Sequence, residues 1–446
     1  MRGSVTAGGG AGVRHGGDLP AATGEVITSR SFRQRFHDPL RSSPMVRLED
    51  VRAARERIRG RVVLTPCTPS EAFGEMFGGK AWFKFENLQR TGSFKERGAL
   101  NTMLSFSDEE RARGVIAASA GNHAQGVAFH ARRLGIAATI VMPERTPLTK
   151  VSNTERYGAR VVLHGGVYDE AMAEAMRIRG GEGQVLIHPF DLDSVIAGQG
   201  TIGLELLEQC PEMDVVVVPV GGGGLISGIA LAIKEVRPEV RVVGVESAVL
   251  PAAFRAREAH GLVTIPPADT IADGIAVRRI GENTFTLIER YVDELVVVDE
   301  EEIASAVLLL LEREKTVAEP AAAASVAAAV YGVLGGLVGK NVVMLLSGGN
   351  VDVTLISRII ERGLQKDGRM AHLNVRVKDR PGALAALTDA LAEGGANIVS
   401  LEHRRGHGSV WVTEAEISLT LETRGPDHVA ELVRSLSAAG YAVEKE

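Results

Sequence analysis

One lysine, Lys95, sits where the chain passes from one pattern to another. The run Lys84-Phe85-Glu86-Asn87-Leu88-Gln89-Arg90-Thr91-Gly92-Ser93-Phe94-Lys95-Glu96-Arg97-Gly98 leaves a strand-like segment, Ala81 to Phe85, and enters a helix-like one, Phe94 to Ser105. Small and hydroxylated residues lead into the lysine, so a planar ligand could approach the backbone closely. A lysine amine in such a pocket can form a Schiff base with an aldehyde cofactor. Taken alone, a lysine at such a junction is more often a solvated surface residue. Downstream motifs reverse that balance, because they supply what an aldehyde cofactor needs.

Gly221-Gly222-Gly223-Gly224-Leu225 follows the strand-like Val215 to Val220 and opens a helical stretch, Ile226 to Val236. Consecutive glycines let the backbone curl so that its N–H groups point into one concavity. The helix dipole adds positive potential there, so a phosphate could be held without any arginine. A flexible loop chosen for turn geometry is the competing reading, and there is no Walker lysine. Ser119-Ala120-Gly121-Asn122-His123 follows Val115 to Ala118 and precedes the next helix. Its N–H groups and hydroxyl suit a substrate carboxylate, and Asn122 can donate to an anionic ring oxygen. An ordinary capping segment, with Ser119 or Asn122 as N-cap, is the alternative. Ser347-Gly348-Gly349-Asn350 follows Val342 to Leu346 and places a hydroxyl where a pyridine nitrogen could meet it.

These loops need rigid elements behind them. From Met45 to about Gln365, short Val/Ile-rich runs alternate with Ala-rich amphipathic stretches. Thr139 to Met142, Arg160 to Leu163 and Val240 to Val245 join the strands already named, and Asn122 to Leu134 is among the helices between them. This alternation predicts an open α/β sheet with mostly parallel strands, which bind ligands at their C-terminal ends. After Arg362-Gly363-Leu364 the composition shifts. His372 to Val377, Pro381 to Glu393, Asn397 to Arg404, Val410 to Leu421, Pro426 to Ala438 and Tyr441 to Glu444 give a ferredoxin-like βαββαβ order. The Ala-rich Ala321 to Ala329 is expected to be a packed helix.

Together, in this order, the four motifs resemble the fold-type II pyridoxal-phosphate enzymes, and within them the threonine dehydratases (threonine ammonia-lyases). His188-Pro189-Phe190-Asp191 and Ile196-Ala197-Gly198-Gln199-Gly200-Thr201 are similar to the same family. The resemblance covers about Val46 to Leu364. Asp379-Arg380-Pro381-Gly382-Ala383-Leu384 resembles an ACT domain, a regulatory module that often binds amino acids. The resemblance implies two open α/β subdomains with mostly parallel sheets, followed by the ACT domain. The expected division is 45–365 for the catalytic part, with a smaller subdomain at roughly 88–189, and 366–446 for the ACT part.

By this resemblance Lys95 carries pyridoxal 5'-phosphate as a Schiff base and serves as general base, and Phe94 flanks the ring. Asn122 bonds the phenolic oxygen, Gly221, Gly222, Gly223, Gly224 and Leu225 bind the phosphate, and Ser347 faces the ring nitrogen. Ser93, with Ser119, Ala120, Gly121, Asn122 and His123, faces the substrate. The implied reaction takes L-threonine to 2-oxobutanoate and ammonia, with a side activity on L-serine. Pro381 and Gly382 would meet an effector, isoleucine or valine, although a purely structural dimerisation module is the alternative. ACT modules usually pair across subunits, which implies a homo-oligomer, a dimer or tetramer. Serine dehydratases and serine racemases are the near rivals. The racemases carry a second serine just before the Gly-Asn of the loop, where this chain has Ala120, which cannot transfer a proton. Threonine synthase and cysteine synthase share the fold but need pockets for a phosphate or for sulfide. A catalytically silent amino-acid sensor is the reading from another class, and the intact Lys95 and phosphate loop speak against it.

The totals exclude other classes. The 446 residues correspond to roughly three domains, with a net charge of -6 and interspersed signs that give no reason to expect nucleic acid. Cys67 and Cys210 match no metal spacing and point to a reducing compartment, hence a cytoplasmic location. No apolar run approaches the roughly 20 residues of a membrane span. Residues 1–44, with Gly8-Gly9-Gly10 and scattered arginines, read as a disordered leader. A transit peptide is one account of them; an upstream extension with the true start at Met45 is the preferred one. No divalent metal is expected. His123 should pack near its loop, and His403 and His407 resemble a polar hairpin tip. Glu246 is followed by Leu250 and Ala252, which offer no side-chain oxygen, while a monovalent cation there stays open.

Overall fold

The chain's β-branched runs become strands, in a computed structural model that describes residues 46–405 and 411–445. In chain order the first are β1 (Cys67–Ser70), β2 (Lys80–Phe85), β3 (Val115–Ala118), β4 (Ala138–Met142), β5 (Arg160–Leu163), β6 (Val185–Leu186) and β7 (Val215–Pro219). There follow β8 (Arg241–Ser247), β9 (Glu294–Val298), β10 (Asn341–Leu346), β11 (Met370–Lys378), β12 (Asn397–Arg405), β13 (Glu414–Glu422) and β14 (Ala442–Lys445).

One sheet has the order β1-β2-β10-β7-β8-β9, parallel throughout except for β1. The second, β5-β4-β3-β6, is parallel in every pairing. Every residue of β3, β4 and β7 is buried, as parallel strands covered on both faces require. β10 lies between β2 and β7, with Val343 opposite both Trp82 and Val216. The segments that leave β2, β7 and β10 therefore emerge at one end of one sheet. β1, β6 and β9 lie outside the strands read from sequence. β6 is too short to show a pattern, and β1 is a Cys-Thr-Pro-Ser edge strand without an apolar run.

The helix Pro320–Val330 starts with proline at its first position and is buried over Pro320 to Ala329. Its alanines let it lie close on β7 and β10, and Ser325 Oγ donates to Leu345 O at 3.0 Å. Glycines set two other close approaches. A Cβ on Gly198 would lie 2.6 Å from the Gly98 Cα, and one on Gly228 would lie 2.3 Å from Ile196 O. The helix Asp193–Gln209 thus touches the helices Lys95–Leu104 and Gly224–Lys234 backbone to backbone.

The described residues 370–405 and 411–445 fold as β11, helix Ala383–Glu393, β12, β13, helix Pro426–Ala438, β14, in an antiparallel sheet ordered β12-β13-β11-β14. Burial alternates along β11, and Leu373, Val375, Leu387, Ile417, Leu419 and Leu436 share a core of their own. The first helix begins at Ala383 and not Pro381, because Gly382 takes a left-handed φ of +85° ahead of it. β13 begins at Glu414, and Val410 lies outside the described residues. No helix among the described residues is long and apolar enough to cross a membrane.

A buried ion cluster anchors the Lys95 helix. Arg97, fully buried, donates to both oxygens of Glu86 at 2.8 Å each and to both oxygens of Glu205. Lys84 donates to Glu205, to Thr65 O at 2.8 Å and to Gln209 Oε1 at 2.8 Å. Burial pushes Glu86 up, but Arg97 outweighs it and holds that carboxyl below its ordinary range. Two cations meet two anions, so the cluster is neutral only as a set. Glu205→Ala would leave Arg97 and Lys84 short of an anion, and removing one partner of a buried pair costs about 3–5 kcal/mol. The variant should show a lowered thermal unfolding midpoint by circular dichroism; an unchanged midpoint would mean that water replaces the carboxylate.

Candidate active site

The motif-bearing loops converge on one cleft of about 1500 Å³ with walls from both parallel sheets. Its floor is a backbone seam. Ser93 and Gly348 form an antiparallel bridge, Phe94 N–H donates to Ser347 O at 3.0 Å, and Gly349 N–H donates to Gly92 O at 2.9 Å. Asn350 Nδ2 donates to Thr91 O at 2.6 Å. The Ser-Phe-Lys block and the Ser-Gly-Gly-Asn turn, far apart in sequence, are thus hydrogen-bonded to each other.

Lys95 is the first residue of its helix. Its Nζ donates to Pro189 O at 3.1 Å and lies 5.1 Å from the centre of the Phe94 ring. Burial pushes the amine's pKa down to about 8, against the opposing charge of Glu319. His123 and His188 lie nearby and are driven down to about 3 and about 4, first by burial and then by Lys95. Both are neutral imidazoles at pH 7. His123 Nε2 pairs with Ile187 O at 2.9 Å, while His188 Nδ1 accepts from Asp191 N–H at 2.9 Å.

The tetraglycine loop is packed, not slack. A Cβ on Gly222 would lie 2.2 Å from the Phe190 ring, one on Gly224 2.7 Å from Phe190 O, and one on Gly223 2.8 Å from the Thr284 Cβ. Gly223 also takes φ +91°. Thr284 Oγ1 donates to Gly222 O at 2.8 Å. The helix Glu282–Tyr291 that carries Thr284 is capped from outside by Asp191, whose carboxylate accepts from Glu282, Asn283 and Thr284 N–H at 3.0, 3.0 and 3.1 Å. Gly224 and Leu225 open the next helix, where the first N–H groups have no partner within it and face anions readily.

Ser119, Ala120, Gly121, Asn122 and His123 line the opposite wall, at the head of the helix Asn122–Leu134. Gly121 N–H donates to Ser119 Oγ at 3.2 Å. Asn122 Nδ2 lies 2.9 Å from each oxygen of Glu319, and its Oδ1 accepts from Asn350 Nδ2 at 2.9 Å. Phe94, Leu225 and Ser347 also face the cleft. Ser93 stands off its wall, fully buried, and its Oγ lacks a partner among the described residues. Pro381 and Gly382 form an exposed turn in the C-terminal unit. At the mouth, Lys150 pairs with Asp273 at 2.6 Å and Arg278 with Asp169 at 3.4 Å.

Glu319, Thr284 and the capping role of Asp191 were not read from the sequence. Phe190 and Asp191 sit in a stretch singled out there without roles; only tertiary folding puts Phe190 against the glycines and Asp191 at the head of the helix Glu282–Tyr291. Among the described residues no group of three or more His, Cys, Asp or Glu could hold a metal ion. Glu246 accepts from Ala253 and Phe254 N–H at 2.8 and 2.7 Å, and burial pushes it up to about 8 against those bonds. His403 is exposed on β12, and His407 lies outside the described residues.

An open, mostly parallel α/β scaffold with a buried amine and a packed glycine loop lining one cleft is an arrangement that a Schiff-base enzyme with a phosphorylated cofactor could use. The family model "Pyridoxal-phosphate dependent enzyme" matches residues 58–348 and the model "ACT domain" matches residues 371–438. The chain belongs to the pyridoxal-phosphate dependent enzymes and carries a C-terminal ACT domain. It is 49% identical over 399 residues to the L-threonine ammonia-lyase of Thermotoga maritima, covering 90% of this chain and 99% of that one. Among solved structures it is similar to maize serine racemase (35% identity, TM-score 0.68, 72% of this chain and 99% of that one). It is also similar to the processed form of threonine deaminase isoform 2 from Solanum lycopersicum (36% identity, TM-score 0.67, 70% of this chain and 86% of that one).

The residues present fit the cofactor. The amine is buried, and the glycine loop beside the same cleft has no room for a Cβ. Gly222→Ala should weaken cofactor binding by more than about tenfold in equilibrium dialysis, since its methyl must displace Phe190 or the loop. Adding Phe190→Ala should recover part of that loss. A Gly222→Ala protein with undiminished affinity would show that the cradle is not used.

Proposed function

We propose that this protein is a threonine ammonia-lyase, converting L-threonine to 2-oxobutanoate and ammonia, with residues 45–365 as the catalytic part and 366–446 as the regulatory part. The observation that carries the reading is the 49% identity to an L-threonine ammonia-lyase, sustained over 90% of the chain. Ala120 supports elimination over racemisation, because a methyl group on that wall can neither give nor take a proton. The likeness to a serine racemase structure makes racemisation the second reading.

Pyridoxal phosphate, when bound, supplies an electron sink that weakens the substrate's Cα–H bond. Lys95 would hold it, Phe94 would flank it, and Gly221, Gly222, Gly223, Gly224 and Leu225 would take its phosphate. Ser347 would meet the ring nitrogen with a neutral hydroxyl, which leaves the sink milder than a carboxylate would. Ser119, Gly121 and the N–H groups of Asn122 and His123 would hold the substrate carboxylate and orient Cα toward the Lys95 amine. That amine, with its depressed pKa, takes the α-proton as general base. Neutral His123 and His188 leave it without a competing cation at its side. Loss of the β-hydroxyl and then of ammonia, with one water consumed for the one released, balances the conversion.

L-serine enters the same cleft with one methyl fewer, a difference worth roughly 10 to 200-fold. The C-terminal unit is proposed to sense a branched-chain amino acid at the turn around Pro381 and Gly382, in a homodimer or homotetramer. Two free cysteines fit a cytoplasmic location.

Ketoacid formation should be faster from threonine than from serine in steady state. Lys95→Ala should lose at least about 10²-fold. D-serine appearing as fast as pyruvate would overturn the elimination reading. Isoleucine or valine should shift the threonine saturation curve; if neither does, the C-terminal unit is a structural pairing module.

A further inference from the structure

Glu319 immediately precedes the helix Pro320–Val330, is 3% exposed, and forms no ion pair among the described residues. Room for its carboxyl is kept by two glycines: a Cβ on Gly348 would lie 2.5 Å from Glu319 Oε1, and one on Gly274 would lie 3.2 Å away. Its backbone N–H donates to Gly348 O at 3.0 Å, tying it to the turn that carries Ser347. A hydrogen-bond chain runs from it across the cleft. Thr91 O accepts from Asn350 Nδ2 (2.6 Å), Asn350 Nδ2 also donates to Asn122 Oδ1 (2.9 Å), and Asn122 Nδ2 faces both Glu319 oxygens (2.9 Å). Both ends of this chain are groups that only accept, a carbonyl and a carboxylate. The two amides between them therefore have one consistent orientation.

We propose that Glu319 is a positioning residue of the active site, whose carboxylate holds the Asn122 amide so that an N–H group is offered to the cofactor. This rests on the cofactor-site reading above. A glutamine at 319 can turn either its oxygen or its NH₂ to Asn122, and so no longer imposes the orientation. The charge also acts on Lys95, which is coupled electrostatically to Glu319, His123 and His188. Glu319 in turn feels the charges of Asp273, Lys150 and Lys95. Burial pushes Glu319 up to about 7, against the Asn122 bond.

The test is a double-mutant cycle on pyridoxal-phosphate affinity, using apoenzyme of the wild type, N122A, E319Q and N122A/E319Q. E319Q should weaken binding about tenfold, as loss of a hydrogen bond to a charged group does, and N122A at least as much. The double variant should bind no worse than N122A within about twofold. Single losses that multiply in the double variant overturn the proposal. A second readout is the pH midpoint of Lys95 acylation in the apoenzyme, followed by peptide mass spectrometry. In E319Q it should fall below the wild-type value, because a nearby negative charge is gone. An unmoved midpoint in protein with native circular dichroism also overturns the proposal. Borohydride reduction of loaded enzyme separates the two readings: a tag on Lys95 keeps the cofactor site whatever the cycle gives, and a tag elsewhere sinks both.

Discussion

An amine taken out of water must lose its proton or find an anion, and this fold is arranged around Lys95 being held between those outcomes. Burial drags its pKa down while one carboxylate, Glu319, pulls it back. The backbone makes that compromise possible. Phe94 and Ser347 are joined by a main-chain hydrogen bond, so peptide groups fix the backbone from which the Lys95 side chain starts. The parallel sheet brings this about by placing β10 beside β2, with the two strands ending together.

Charge is treated differently on the two sides of the Lys95 helix. On the side of Arg97, two cations and two anions saturate one another out of solvent. On the cleft side, Glu319 is held by an amide alone, and the histidines carry no charge. The saturated side fixes the helix. The unsaturated side leaves polar groups that a ligand can engage.

How far the residues announced this arrangement depended on how local each requirement was. Glycine clusters after apolar strands advertise backbone conformations that other residues resist, so Gly221 to Gly224 and the turn after Leu346 stood out at once. Parallel strands such as β3 and β7 stood out because they are apolar throughout. Glu319 did not, since the groups it acts on, Asn122 and Lys95, come to it from other parts of the chain. Asp191 capping a helix that starts at Glu282 escaped for the same reason. The start of the ACT helix was misplaced by two residues because Gly382, and not Pro381, makes the turn into it. β9 is less apolar at its start, where Glu294 opens the Val-rich run, and so gives a weaker strand pattern than β3 or β7.

The mouth of the cleft has another character. Lys150 and Asp273 meet there from opposite walls, the first half-buried and the second exposed to water. A surface pair of this kind is worth about 0–1 kcal/mol, comparable to thermal energy, and added salt screens it further. Such a pair adds little to holding the two walls together. The deep wall, packed glycine to ring, is tied far more firmly than the entrance above it.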